Sequence, residues 1–245
     1  MNNSARSKTM EMGLQEKWQA AIEQLFSCAR KSDEQKFFLA LKAVPIVRKK
    51  VLKEKISYVD DYMDVELYEA IDTYSILAES VRSKEVEKRT RMKLMLIAFL
   101  GLHEADRWHS ILGNLLGIIV EKDYESNLLR NKDTRTKYYN IVQLLDMCER
   151  KGVVLSIQHS YKDICNENIA RLRNAFFHSQ YSLSPEGDWL VMTKNIIKCI
   201  PTEPGRKQQK LCYSFDEVKK MYENIVAFLK ALASKRKQAL ENLSK

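Results

Sequence analysis

The chain has 245 residues and a formal net charge of +9, a length for one large domain or two small ones and a balance that suits a polyanionic partner. Gly 7 and Pro 4 together make up about 4–5% of the chain against about 12% on average, which favours an all-α fold over a turn-rich β one. Cys28, Cys148, Cys165, Cys199 and Cys212 are odd in number and never occur as Cys-x-x-Cys, so neither a disulfide framework nor a zinc site is expected.

Residues 1–8 are polar with no apolar run behind them, so a signal peptide is not expected. No segment reaches about 18 uninterrupted apolar residues, which argues against a membrane span and for a cytoplasmic chain with reduced thiols. Over 15–30, Trp18, Ile22, Leu25 and Phe26 recur at helical spacing. Ser32-Asp33-Glu34-Gln35 has the form of a capping box opening a second helix. That helix carries Phe37, Phe38, Leu41, Val44 and Val47, with a kink expected at Pro45. It runs into the basic stretch 48–55, read as a solvated helix end or a phosphate contact. Over 57–81 the sign reverses, with Asp60, Asp61, Asp64, Glu66, Glu69 and Asp72 among tyrosines. Their spacing fits no calcium loop, so they read as a charged helix face. The boundary between an N-terminal helical segment (1–90) and a second portion (91–245) falls after the charged residues that follow.

Residues 94–120 are apolar nearly all round at their start, which predicts one helix in the middle of a bundle. Its centre reads His103-Glu104-Ala105-Asp106-Arg107-Trp108-His109. His103, Asp106 and His109 recur every three residues, but they drift about 60° per step around a helix and lack a strong ligand at i+4. Buried polar groups satisfying one another is the better reading, and no metal is expected. Residues 134–151 predict a short amphipathic helix ended by Gly152. Ser184-Pro185-Glu186-Gly187-Asp188 and 201–205 are turn clusters around an apolar, β-branched stretch, which predicts a small β-hairpin over 189–213. Ser214-Phe215-Asp216-Glu217 is a second capping box. It opens a long final helix with Val218, Met221, Ile225, Phe228, Leu229 and Leu232 on one side.

The most informative stretch lies before that hairpin. A helix from Ser160 through Tyr181 would place Cys165, Ile169, Leu172 and Phe176 on a core-facing stripe. Its far side would carry Asn174 and His178 one turn apart, flanked by Arg173, together with Phe177 and Tyr181, also one turn apart. A solvated face would not hold two aromatics, so this side is expected to be a groove, a partner interface or both. Glu104 or Asp106 is expected to orient Arg173. Arg171 reads as an exposed charge or a phosphate contact.

Arg173-Asn174-Ala175-Phe176-Phe177-His178 resembles the Arg-x4-6-His motif of the HEPN superfamily, with Asn174 in the place of the polar residue that usually follows the arginine. The resemblance implies a helical bundle over 91–245, preceded by an N-terminal helical extension. It also implies a metal-independent endoribonuclease of a toxin or defence setting, with an active site formed where two copies meet and an antitoxin protein as a further partner. Cleaving RNA without a metal requires a base for the 2′-hydroxyl, an acid for the leaving 5′-oxygen and fixed positive charge at the phosphorus. Histidine can do either proton transfer near neutral pH. An arginine fork matches phosphate oxygens, and an asparagine can donate and accept. Arg173, Asn174 and His178 are the expected catalytic residues, and a homodimer would supply a second histidine. Phe177 and Tyr181 would serve that interface or stack on a base. No cofactor is expected. Two rival readings remain: a non-catalytic HEPN module that binds RNA, nucleotide or a protein, and a helical scaffold or regulatory subunit.

Overall fold

A computed structural model describes residues 3–42, 62–81, 86–104, 106–121, 134–192 and 212–242, with the side chains of 3–12, 42, 62–67, 69, 106–107 and 134–139 left out of the description. The expected kink at Pro45, the basic run 48–55, Asp60, Asp61 and the second turn at 201–205 lie outside the described residues. The described chain is mostly helical: α1 Asn3–Ser32, α2 Glu34–Lys42, α3 Tyr62–Ser80, α4 Lys88–Glu104, α5 Asp106–Ile119, α6 Thr134–Arg150, α7 Ser156–Ile164 and α8 Glu167–Phe177 precede the sheet. The strands are β1 Tyr181–Leu183, β2 Trp189–Met192 and β3 Cys212–Ser214, and the chain closes with α9 Phe215–Glu241. None of the helices is long and apolar enough, among the described residues, to cross a membrane.

The last helix is the spine of the bundle. Ser214 caps it as its sequence suggested: its hydroxyl accepts from the Glu217 N–H at 3.2 Å, and the Glu217 carboxylate accepts from the Ser214 N–H at 2.9 Å. Val218, Ile225, Phe228, Leu229 and Leu232 then form a buried stripe against α1, α3, α4 and α7. Phe228 meets Trp18 of α1 edge-on at 5.1 Å and Trp108 of α5 at 5.4 Å. Arg236, one helical turn beyond Leu232, is buried and donates from Nη2 to the Leu41 carbonyl at 2.6 Å, satisfying an end-of-helix acceptor of α2. Buried residues from both sides of residue 90 share one hydrophobic cluster.

Within the expected single helix over 94–120, Ala105 lies outside the described residues, and a helix is described on either side of it. The first, α4, ends at Glu104 and packs against α3 and α9; α5 starts at Asp106 and packs against α1, α2 and α6. Gly101 allows α3 to come close, because a Cβ there would run into the ring of Tyr74. His103 and His109 are both buried, their rings 6.0 Å apart, and His109 stacks on Trp108 at 3.4 Å.

Two caps also differ from expectation. At the start of α2, Asp33 rather than Ser32 is the cap: its Oδ1 accepts from the Lys36 N–H at 2.9 Å, while the Ser32 hydroxyl donates back to the Cys28 carbonyl. The helix expected from Ser160 to Tyr181 is divided at Cys165 and Asn166. There Asn166 accepts from the Ile169 N–H at 3.0 Å to cap α8, and its amide donates to the Lys162 carbonyl at 2.7 Å to close α7.

The expected hairpin gains a third strand. β1 pairs antiparallel with β2 in the register Tyr181 to Met192, and β2 pairs antiparallel with β3 in the register Leu190 to Tyr213. Leu190, Met192 and Tyr213 face the core, and the Tyr213 hydroxyl donates to the Asn168 carbonyl at 3.2 Å, tying the sheet to the first turn of α8. The turn between β1 and β2 needs Gly187 at φ 77°. A Cβ at that position would lie 2.6 Å from the Arg89 nitrogen, and beside it Asp188 accepts from Lys88 at 3.1 Å. The turn thereby docks on the N-terminal end of α4.

Candidate functional site at the end of helix α8

α8 is positioned by its buried side. Ile169, Ala170, Leu172 and Ala175 are in the core, so the residues between them turn outward. Arg173 is about three-quarters covered, whereas Asn174, Phe177 and His178 are exposed. The helix stops at Phe177 and His178 is its C-cap, with φ −93° and ψ 10°. Ser179 follows at φ 54°, donating to the Phe176 carbonyl, and Gln180 donates to the Ala175 carbonyl at 2.7 Å. These are the two hydrogen bonds of a Schellman motif, made with serine where glycine is usual. That turn sends the chain into β1.

Tyr181 is therefore not on the helix. It is the first residue of β1, half-buried, with its ring stacked on Phe176 at 5.3 Å and 22°. The expected pair of aromatics one turn apart is corrected: only Phe177 shares the outer side with Asn174 and His178. The cause is the left-handed turn at Ser179, which ends the helix before a further turn can form.

Arg173 is held from three sides. Its Nε donates to Glu104 Oε1 at 3.1 Å and its Nη2 to Oε2 at 3.3 Å, a forked ion pair between α8 and the last residue of α4. Its Nη1 donates to Asn174 Oδ1 at 3.0 Å. Beneath it lies the Phe177 ring, 5.3 Å from the guanidinium carbon. Three of the five guanidinium N–H groups are used in this way. Among the described residues no acceptor takes the remaining one on each terminal nitrogen. Asn174 also links the arginine to the histidine, since its backbone carbonyl accepts from the His178 N–H at 3.0 Å.

The other expected site residues are placed as follows. Arg171 is bound to Glu167 at 2.6 Å, one turn back on α8, a pairing that its i, i+4 spacing already encodes. Asp106 opens α5, and its side chain lies outside the described residues. Among the described residues, no three His, Cys, Asp or Glu side chains gather as a metal site would require. His103, next to Glu104 in sequence, packs on Phe99 at 6.0 Å and on Trp108 at 5.9 Å, in the core rather than at the site. The aromatic support of Arg173 by Phe177 was missed by the sequence reading, although i, i+4 spacing signals it.

The chemistry available at this end of α8 is an oriented, partly covered cation, an amide with its N–H groups outward of the arginine, and an imidazole at a helix C-terminus in water. The site residues lie on rigid elements, α4 and α8, except for His178, which sits at the junction with the turn. Compared with known proteins, the chain matches no protein-family model, no curated protein and no solved structure.

Proposed function

We propose that the chain is a metal-independent endoribonuclease of HEPN type that works as a homodimer on RNA, in a toxin or defence setting, and in the cytoplasm. The observation that carries this reading is the Glu104-held Arg173 beside the exposed Asn174 and His178, one group after another along the end of α8. Glu104 fixes the guanidinium plane, and the remaining N–H on each terminal nitrogen is left to meet phosphate oxygens. His178 takes the proton of the ribose 2′-hydroxyl. The 2′-oxygen bonds to phosphorus, the bond to the 5′-oxygen breaks, and the histidine of a second copy protonates that leaving oxygen. Asn174 orients the 2′-hydroxyl or the imidazole. Phe177, exposed beside Arg173, suits the interface between copies or a base stacked at its rim. An antitoxin protein would cover the same side.

The test is incubation of the purified chain with single-stranded RNA in EDTA, beside His178→Ala. Cleavage by the native chain that the variant loses supports the enzyme. Intact RNA with a retained gel shift favours a binding module that uses the same side. A second reading has a specific observation behind it. The Arg173–Glu104 pair joins α8 to α4 across the bundle, as it would in a scaffold, and intact RNA with no shift but a large loss of stability in Arg173→Ala would favour that role.

A further inference from the structure

α7 lies antiparallel along α1, and two contacts fix how far along. Lys17 reaches Asp163, near the end of α7, at 3.2 Å. About two turns further down α1, the Gln24 side chain clasps the start of α7. Its Oε1 accepts from the Ser156 N–H at 2.7 Å, and its Nε2 donates to the Val154 carbonyl at 3.0 Å. One more turn of α1 brings Cys28 level with the chain that precedes α7, which is the end of α6. There Gly152, at φ 79°, stops α6, and the Val153 N–H donates back to the Cys148 carbonyl at 2.9 Å. Gln24 and Cys28 are both half-buried and lie on one side of α1, four residues apart. Cys148 is fully buried in the hydrophobic cluster against which Cys28 packs. After burial, the Cys28 thiolate is the strongest influence pushing the Cys148 thiol up, as neighbouring thiols require.

We infer that Cys28 and Cys148 are a redox pair, which a small-molecule disulfide such as oxidised glutathione closes into a bond fastening α1 to α6. Cys28, the one open to solvent, acts first. Its thiolate bonds to one sulfur of oxidised glutathione, the S–S bond breaks, and one glutathione leaves as thiolate. Cys148 then gives its proton to water and its sulfur bonds to that of Cys28, expelling the second glutathione. Two protein thiols are oxidised and one glutathione disulfide is reduced to two thiols. Capping Cys28 also removes the negative charge that helps to hold the Cys148 proton, so the first step eases the second. Cys165 is out of reach of Cys28. At the far end of α7 it sits near the level of Lys17, about 16 Å up α1 at about 1.5 Å per residue.

The test is oxidation of the folded full chain by oxidised glutathione, followed by alkylation of the remaining thiols, tryptic digestion and mass spectrometry. The expected product is a linked pair of peptides, one holding Cys28 and the other Cys148, which dithiothreitol separates. Because the bond closes a long loop, the oxidised chain should melt about 5 °C or more above the reduced one. Cys148→Ala should stop at glutathione held on Cys28, and Cys28→Ser should leave Cys148 unmodified. Replacing Cys199 and Cys212 together by serine should leave the link intact. If Cys148→Ala does not melt cooperatively, the peptide map of the native chain and Cys28→Ser decide the matter. Glutathione that stays on Cys28 of the native chain, a link from Cys28 to any other cysteine, both thiols still free after exhaustive oxidation, or a linked chain that melts no higher than the reduced one overturns the pair.

Discussion

Glu104, the last residue of α4, and Arg173, near the end of α8, meet through two hydrogen bonds of 3.1 and 3.3 Å. The two residues are 69 apart in the chain, and both side chains are less than one-third exposed. Partial burial and the forked geometry make this pair stronger than an ordinary surface ion pair, whose contribution is about 0–1 kcal/mol. It also determines which edge of the guanidinium faces outward.

Breaking the pair should therefore separate positioning from folding. Glu104→Gln keeps one acceptor and the shape, so thermal unfolding should show a loss of no more than about 1 kcal/mol. In the ribonuclease reading the same change lets the guanidinium turn, and cleavage should fall about tenfold to a hundredfold. A double-mutant cycle of Glu104→Ala with Arg173→Ala measures the coupling directly, expected at about 1–2 kcal/mol. A coupling of zero would mean that Glu104 does not hold the arginine.

Ser179 occupies a left-handed conformation that costs an ordinary residue about 1–2 kcal/mol. Ser179→Gly removes that strain but loosens the unfolded chain, for a net gain of about 0.5 kcal/mol in denaturant unfolding. Ser179→Val adds branching where φ is 54° and should destabilise by more than about 1 kcal/mol. Equal stability of the three would contradict the described turn.

The buried Arg236 should be sensitive to truncation. Arg236→Met fills much of the same volume but leaves the Leu41 carbonyl without this donor, and a loss of about 1–3 kcal/mol is expected in denaturant unfolding. No change would show that water replaces the guanidinium there.

Alkaline pH should weaken the fold. Burial, with the neighbouring Cys28 as a second cause, pushes the Cys148 thiol up to about 11. In the unfolded chain a thiol ionises near about 8.5. Between those values the unfolded chain has released a proton that the folded chain keeps, so stability falls as pH rises from about 8.5 to 11. Burial, and then Glu217, raise the Tyr213 phenol as well, which adds loss of the same sign above its ordinary range. Melting temperatures measured from pH 7 to 10.5 should decline, and more gently in Cys148→Val. An unchanged slope in that variant would contradict this assignment.

Much of the helical order was legible because local signals and packing agree. The Ser214 to Glu217 cap, the stripe from Val218 to Leu232 and the Gly152 stop, with its φ of 79°, all have short-range causes. The breaks were harder to read. Asn166 was a cap hidden between two amphipathic stretches. Ser179 bends left-handed without the glycine that would have flagged it, and this took Tyr181 out of the expected outer face. The contact between Arg173 and Glu104 was foreseeable only as a need of the arginine for a carboxylate, with Glu104 and Asp106 equally placed.

The central claim is that the exposed end of α8 performs proton transfer on RNA. The most direct measurement is the rate of cleavage of a labelled single-stranded RNA in excess EDTA, by the native chain and by a His178→Ala protein of matched melting temperature. A native rate at least about a hundredfold above the variant, with products ending in 2′,3′-cyclic phosphate, is the predicted result. Equal rates for the two proteins, or RNA left intact by the native chain, would contradict it.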